Sequence, residues 1–176
     1  VVAMNLDRHD EATERAEQAR MLYVAAGDGA GAARVLDARA MAVFLNGRLS
    51  DAMPQFRQAA DLFTVSGALV RTVTPRSTLG HALVFADRAA EGLIETEAAL
   101  DLARALGHRE GQSYALWHTA EAHAALGHHE RAIAAAEEAL DIARALGHRG
   151  WTATAWRATG IAHQVAGRLD TAEHSF

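Results

Sequence analysis

The stretch ALDLARALGHR at residues 99–109 returns as ALDIARALGHR at residues 139–149, with Ile142 replacing Leu102 as the single difference. Both copies keep a Gly-His pair at the same offset, which chance composition does not produce, so the chain is first tested for a forty-residue period. Stepping by that interval gives Gly27, Gly67, Gly107 and Gly147, and a second series gives Gly47, Asp87, Gly127 and Gly167, with Asp7 one step before it. Five residues after each member of the second series stands a small residue: Ala12, Ala52, Gly92, Ala132 and Ala172. Further columns are Ala42, Ala82, Ala122, Ala162, then Ala19, Ala59, Ala99, Ala139, then Leu22, Leu62, Leu102, Ile142. Columns this regular at one period mean an array of repeated units.

Each unit reads as two helices. Apolar residues recur at three- and four-residue steps, as in Leu93, Ala99, Leu100, Ala103 and Leu106. Between the glycine series, residues 33–46 are expected to form one helix and residues 49–65 the next. Ser50 is expected to cap the second of these. Thr74-Pro75 is expected to open a helix, with proline at the first helical position where its missing N–H costs nothing. Short links force consecutive helices antiparallel, and small residues in fixed columns let them cross closely. The predicted fold is all-α, a right-handed superhelical solenoid of antiparallel helix pairs. A partial repeat covers 1–31, full repeats cover about 32–71, 72–111 and 112–151, and a truncated one covers 152–176. Residues 1–5 and His174-Ser175-Phe176 both fall inside units, and solenoids normally finish in polar-faced caps. The expectation is an excerpt of a longer protein, or self-association through uncapped ends.

Composition agrees and narrows the function classes. The chain is 50% hydrophobic but 6% aromatic, and it has two prolines, a mixture suited to close-packed, alanine-rich helices. A net charge of −5 argues against direct nucleic-acid contact, which shows as a basic stripe. The lack of cysteine removes disulfides and thiolate chemistry and is compatible with a reducing, cytoplasmic setting. No apolar run is long enough to span a membrane.

The columns resemble the tetratricopeptide repeat, in which a small pair lies in the first helix, glycine in the turn and alanine in the second helix. Leu116, Ala120, Gly127, Ala132, Ala139 and Leu140 stand where that family's signature has its residues. The resemblance covers essentially the whole chain. Its departures are a period longer than the usual repeat of about thirty-four residues, glycine where a proline usually follows the second helix, and Arg76 and His123 at normally apolar positions. The extended period is similar to arrays in kinesin light chains and peptide-sensing bacterial regulators. The phrase A-L-G-H-R-x-G-x is similar to the C-terminal regions of large bacterial transcription regulators of the LuxR and SARP types.

The residues themselves point away from catalysis. GDGAGAAR at residues 27–34 lacks the Lys-Ser/Thr ending of a phosphate loop and reads as an inter-repeat turn. Among ten histidines, His118 shares a helix face with Glu121 but not with His123, and His123 and His163 are expected to be neighbours without a third ligand. No metal site or cofactor is expected. His108, His148, Arg109 and Arg149 are expected near helix C-termini, where cations oppose the dipole. His128-His129 read as turn residues.

The resemblance implies a concave groove lined by first helices, binding a protein or peptide. The groove-facing positions it assigns are Arg34, Asp37, Met41 and Phe44; Thr74, Ser77 and His81; Tyr114, Trp117 and Glu121; and Arg157, Ile161 and Gln164. Trp151 and Trp156 read as packing residues. The expected function is therefore a binding module within a larger bacterial regulator. A small-peptide sensor and a passive oligomerisation scaffold are alternatives, and a metal-dependent enzyme fits less well.

Overall fold

The computed structural model describes residues 9–175. Nine helices follow one another among these residues: α1 His9–Ala25, α2 Gly29–Leu45, α3 Leu49–Val65, α4 Leu69–Phe85, α5 Ala89–Ala105, α6 Arg109–Ala125, α7 His129–Ala145, α8 Arg149–Val165 and α9 Leu169–Ser175. The expectation for residues 1–5 lies outside the described residues.

The metre is set by helix ends. Gly27, Gly47, Gly67, Gly107, Gly127, Gly147 and Gly167 all have φ between 63° and 76°. At the end of α2, Gly47 N–H donates to Phe44 and Arg48 N–H to Val43, the paired bonds of a left-handed helix stop. The two glycine series thus do the same job at alternate helices, and the local period is twenty residues. Asp87 takes the equivalent place after α4 with φ of 59°, the one non-glycine residue in that region among those described. A left-handed residue with a Cβ costs roughly 1–2 kcal/mol, of which glycine's larger entropy loss on folding offsets part. Asp87→Gly is therefore expected to raise stability by about 0.5–1 kcal/mol in a thermal or urea melt; an unchanged or lowered midpoint would contradict this.

The helix α3 has the expected bounds, but several starts differ. Helix α2 begins four residues before the expected position, because Asp28 caps it: its carboxylate accepts from Gly31 N–H at 2.7 Å. Gly31 lies inside the helix for a packing reason, since a Cβ there would overlap the Tyr23 ring at Cδ1. Ser50 does not cap α3; the cap position is Arg48, which pairs with Asp51 at 2.7 Å, and Ser50 is within the first turn. Pro75 does not open α4 but stands in its interior, buried. Its missing N–H leaves the Arg71 carbonyl without its usual helical partner. Tertiary packing over a 17-residue helix outweighs this local defect. Arg109 and Arg149 begin helices rather than ending them, and His148 is an N-cap whose Nδ1 accepts from Trp151 N–H at 3.1 Å.

Consecutive helices pack as antiparallel pairs throughout. In addition α4 packs on α6 and α6 on α8, whereas α3, α5 and α7 make no comparable contact with one another. Contact on one side and splaying on the other bends the stack, and the first helices form its inner layer. The small-residue column is the seam inside each pair: Ala52 and Ala132 are fully buried and Ala172 nearly so. Val73, Leu116, Leu140 and Ile142 join the long core through α4–α8, and Phe56, Leu79 and Leu83 fill a second one under α2–α4. No described helix is long and apolar enough to cross a membrane.

Candidate functional site

The inner wall is built where α2, α4, α6 and α8 present residues at three- and four-residue steps. Phe44 from α2 lies 5.8 Å from His81 and 6.2 Å from Phe85, both on α4, measured between ring centroids. His81 meets Trp117 at 5.3 Å and His118 at 4.6 Å, both on α6. Tyr114 continues the row to Trp117 at 5.5 Å and to Trp151 of α8 at 5.9 Å. Edge-on and tilted arrangements of this kind are the favourable geometry for aromatic rings.

Charge is threaded through the rings. The Glu121 carboxylate sits between two neighbours, His81 Nε2 at 2.7 Å from Oε2 and Arg157 Nη2 at 2.5 Å from Oε1. These contacts join α4, α6 and α8, yet neither has the alignment of a hydrogen bond, and both His81 Nε2 and Glu121 Oε1 stay unmatched in that sense. The Arg157 contact is an ion pair by its distance, since charge pairing depends on separation more than on angle. Arg157 also lies over the Trp117 ring, 5.7 Å from its centroid. His118 is held well below the usual imidazole range, first by burial and then by the nearby His81, so it is neutral. The Tyr114 hydroxyl pairs with Thr78 at 3.0 Å; burial raises its pKa to about 12 despite that bond, and the Asp37 charge adds to the rise. Asp37 itself is pushed up to about 6 by burial.

The groove residues expected from the sequence divide into three groups. Trp117, His81 and Glu121 are over nine-tenths buried and make the floor. Asp37, Met41, Phe44, Tyr114, Thr74 and Ile161 are half-buried, while Arg34, Arg157 and Gln164 are exposed along the rim. Ser77 is not on the wall: it is fully buried and its hydroxyl donates to the Val73 carbonyl at 2.8 Å. Thr78, Phe85 and His118 were not anticipated. The signal was present, because each lies four residues from an anticipated wall residue: Thr78 after Thr74, Phe85 after His81, His118 after Tyr114.

Other polar groups resolve into structure. Arg76, unusual at its position, pairs with Glu95 of α5 at 2.9 Å. His123 faces His128, with Nδ1 atoms 3.2 Å apart, and no ring contact joins it to His163 among the described residues. Burial lowers the His123 pKa, with His128 and Arg131 lowering it further. It borders an outer cleft of about 430 Å³ between α5, α6 and α7, whose flanks are tied by Arg104 and Glu138 at 3.0 Å. No group of three or more His, Asp or Glu residues suited to a metal ion occurs among the described residues. Trp151 stacks on His148 at 4.2 Å, and Trp156 carries Arg144 4.8 Å from its ring centroid and packs on the long core.

Known structures share this architecture. A point variant of the nearly identical TPR-like repeats of a Podosopora anserina kinesin light chain superposes with a TM-score of 0.74 at 16% identity, covering 98% of this chain and 85% of that one. BtubC from P. vanneervenii superposes with a TM-score of 0.72 at 18% identity, covering 98% of this chain and 70% of that one. The fold is a TPR-like repeat array. No protein-family model matches the chain, and no curated protein matches it. At such identities the likeness concerns the TPR-like architecture alone.

Proposed function

We propose that this TPR-like array is a binding module whose inner wall, on α2, α4, α6 and α8, takes a segment of a partner protein. The observation that carries the reading is a pair of enclosed polar atoms on that wall without partners, Trp117 Nε1 and Asp37 Oδ1. Buried polar groups are ordinarily satisfied, and each exception calls for a reason. A bound main chain or side chain would complete them, with Arg157 on the rim closing over it. The repeated A-L-G-H-R phrase supports placing the module within a larger bacterial regulator of the LuxR or SARP type. Sequencing the coding region around this segment tests that context; an adjoining helix-turn-helix or nucleotide-binding segment is the expected result.

Binding itself is tested on the rim and the floor separately. Arg157→Ala removes an exposed group that also pairs with Glu121, so its melting temperature is measured beside its binding. Trp117→Phe keeps the ring packing but deletes the unpaired N–H. Each is expected to weaken a selected peptide by roughly tenfold, an energy of about 1.4 kcal/mol, read by fluorescence anisotropy. Full affinity in both variants would refute the inner-wall reading.

A further inference from the structure

Asp37 is the wall residue with no counter-charge. Two arginines share its helix, and both are engaged elsewhere: Arg34 lies 5.8 Å from the Tyr23 ring centroid, and Arg39 pairs with Glu17 at 3.1 Å. Across the wall, Tyr114 is close enough to feel the carboxylate, but its hydroxyl is already matched with Thr78. Glu121, by contrast, has Arg157 and His81 beside it. Asp37 Oδ1 is enclosed and unpartnered, and the burial that raises its pKa would be relieved by a cation. A second, independent feature stands on the same row of rings. Trp117 is 8% exposed, its Nε1–H has no acceptor, and its ring packs edge-on against Tyr114. The missing partners are thus a positive charge at one place and a carbonyl at another, both of which an extended basic segment can supply.

We propose that the occupant of the inner wall is a peptide segment carrying a lysine or arginine, whose cation seats on Asp37 while a nearby backbone carbonyl accepts from Trp117. The inference rests on the inner-wall reading above and adds the chemistry of the partner. Random twelve-residue peptides displayed on phage are selected on the whole chain and, in parallel, on its Asp37→Asn form. The expected result is a basic residue enriched at one aligned position for the unchanged chain and lost for Asp37→Asn. The best synthetic peptide should then bind Asp37→Asn at least tenfold more weakly, and lose as much when its basic residue is replaced by norleucine. Asp101→Asn, on α5 away from the wall, should bind it unchanged. A circular-dichroism melt of Asp37→Asn at or above the midpoint of the unchanged chain shows that folding is not the cause.

Other results overturn the proposal in distinguishable ways. Enriched peptides without a basic residue, still weakened by Arg157→Ala, would sink the cation and keep the groove. Spermidine or lysine amide binding as tightly as the peptide would make a small free cation the occupant instead. Enrichment of nothing by either form would remove both the cation and the groove reading.

Discussion

Asp37→Asn should make the array more stable at pH 8 and change it little near pH 3.5. Burial holds the Asp37 carboxyl near pH 6 in the folded chain, against an ordinary aspartate value of 3.8. Below that ordinary value both states carry the proton, and the group contributes nothing to the pH dependence. As pH rises through the window between 3.8 and about 6, the unfolded chain releases its proton first. The unfolded state then binds fewer protons than the folded one, so stability falls across that window and levels off above it. A tenfold change in proton affinity is worth about 1.4 kcal/mol, and the partial exposure of Asp37 reduces the total, leaving a cost of about 2 kcal/mol. Urea melts of both forms at the two pH values isolate the effect, because every other titration cancels in the difference. A gap between variant and parent that is the same at pH 3.5 and pH 8 would show that Asp37 is not desolvated. The same substitution is expected to weaken binding, so stability and recognition should move in opposite directions. A charge kept at a cost to the fold is what a binding residue looks like in energetic terms.

Gly92→Ala should destabilise the chain even though alanine is the better helix former. A Cβ at Gly92 would lie 2.6 Å from the Gly80 carbonyl oxygen and 3.0 Å from Val84 Cγ2. The reciprocal Cβ at Gly80 would lie 2.7 Å from the Gly92 carbonyl oxygen. Backbone meets backbone here, so no side chain can turn aside, and α4 and α5 must move apart. Helix propensity favours the substitution by about 1 kcal/mol, while overpacking costs roughly 1–3 kcal/mol. The net expectation is a loss of up to about 2 kcal/mol, or several degrees in melting temperature at this chain length. A rise in the melting temperature would mean that propensity wins and the crossing is loose. Gly80→Ala combined with Gly92→Ala should be non-additive, because both report on one contact.

How far the sequence could be read depends on how local each feature is. Glycine at a left-handed helix stop is a property of a few adjacent residues, so the stops at Gly47 and Gly67 placed the bounds of α3 to the residue. The small-residue column was equally plain, because only a narrow side chain fits a close crossing. Thr74-Pro75 misled for the opposite reason. Locally it is a good helix start, but the helix had already begun at Leu69 after the Gly67 stop, and packing carried it through the proline. In GDGAGAAR the turn reading holds for Gly27, with φ of 71°, whereas Gly31 lies inside α2 and answers to the Tyr23 ring across a helix pair.

The candidate site was legible only as a list. The resemblance to the repeat family assigned Asp37, His81, Tyr114, Trp117 and Glu121 to inner-facing positions, and it left out Thr78, Phe85 and His118, each four residues beyond an assigned residue of the same helix. What spacing cannot reveal is neutralisation. Glu121 and Asp37 are alike in sequence, isolated acids on first helices, but one is bracketed by Arg157 and His81 and the other is left alone.

The sequence by itself determined the period, the helical class and the placing of the turns, because these follow from backbone conformations and side-chain sizes a few residues apart. Which polar groups on the inner wall find partners was decided only by the tertiary structure. Residues some forty positions apart on successive helices meet there, and whether a buried charge is matched depends on distances across helices that no local pattern encodes.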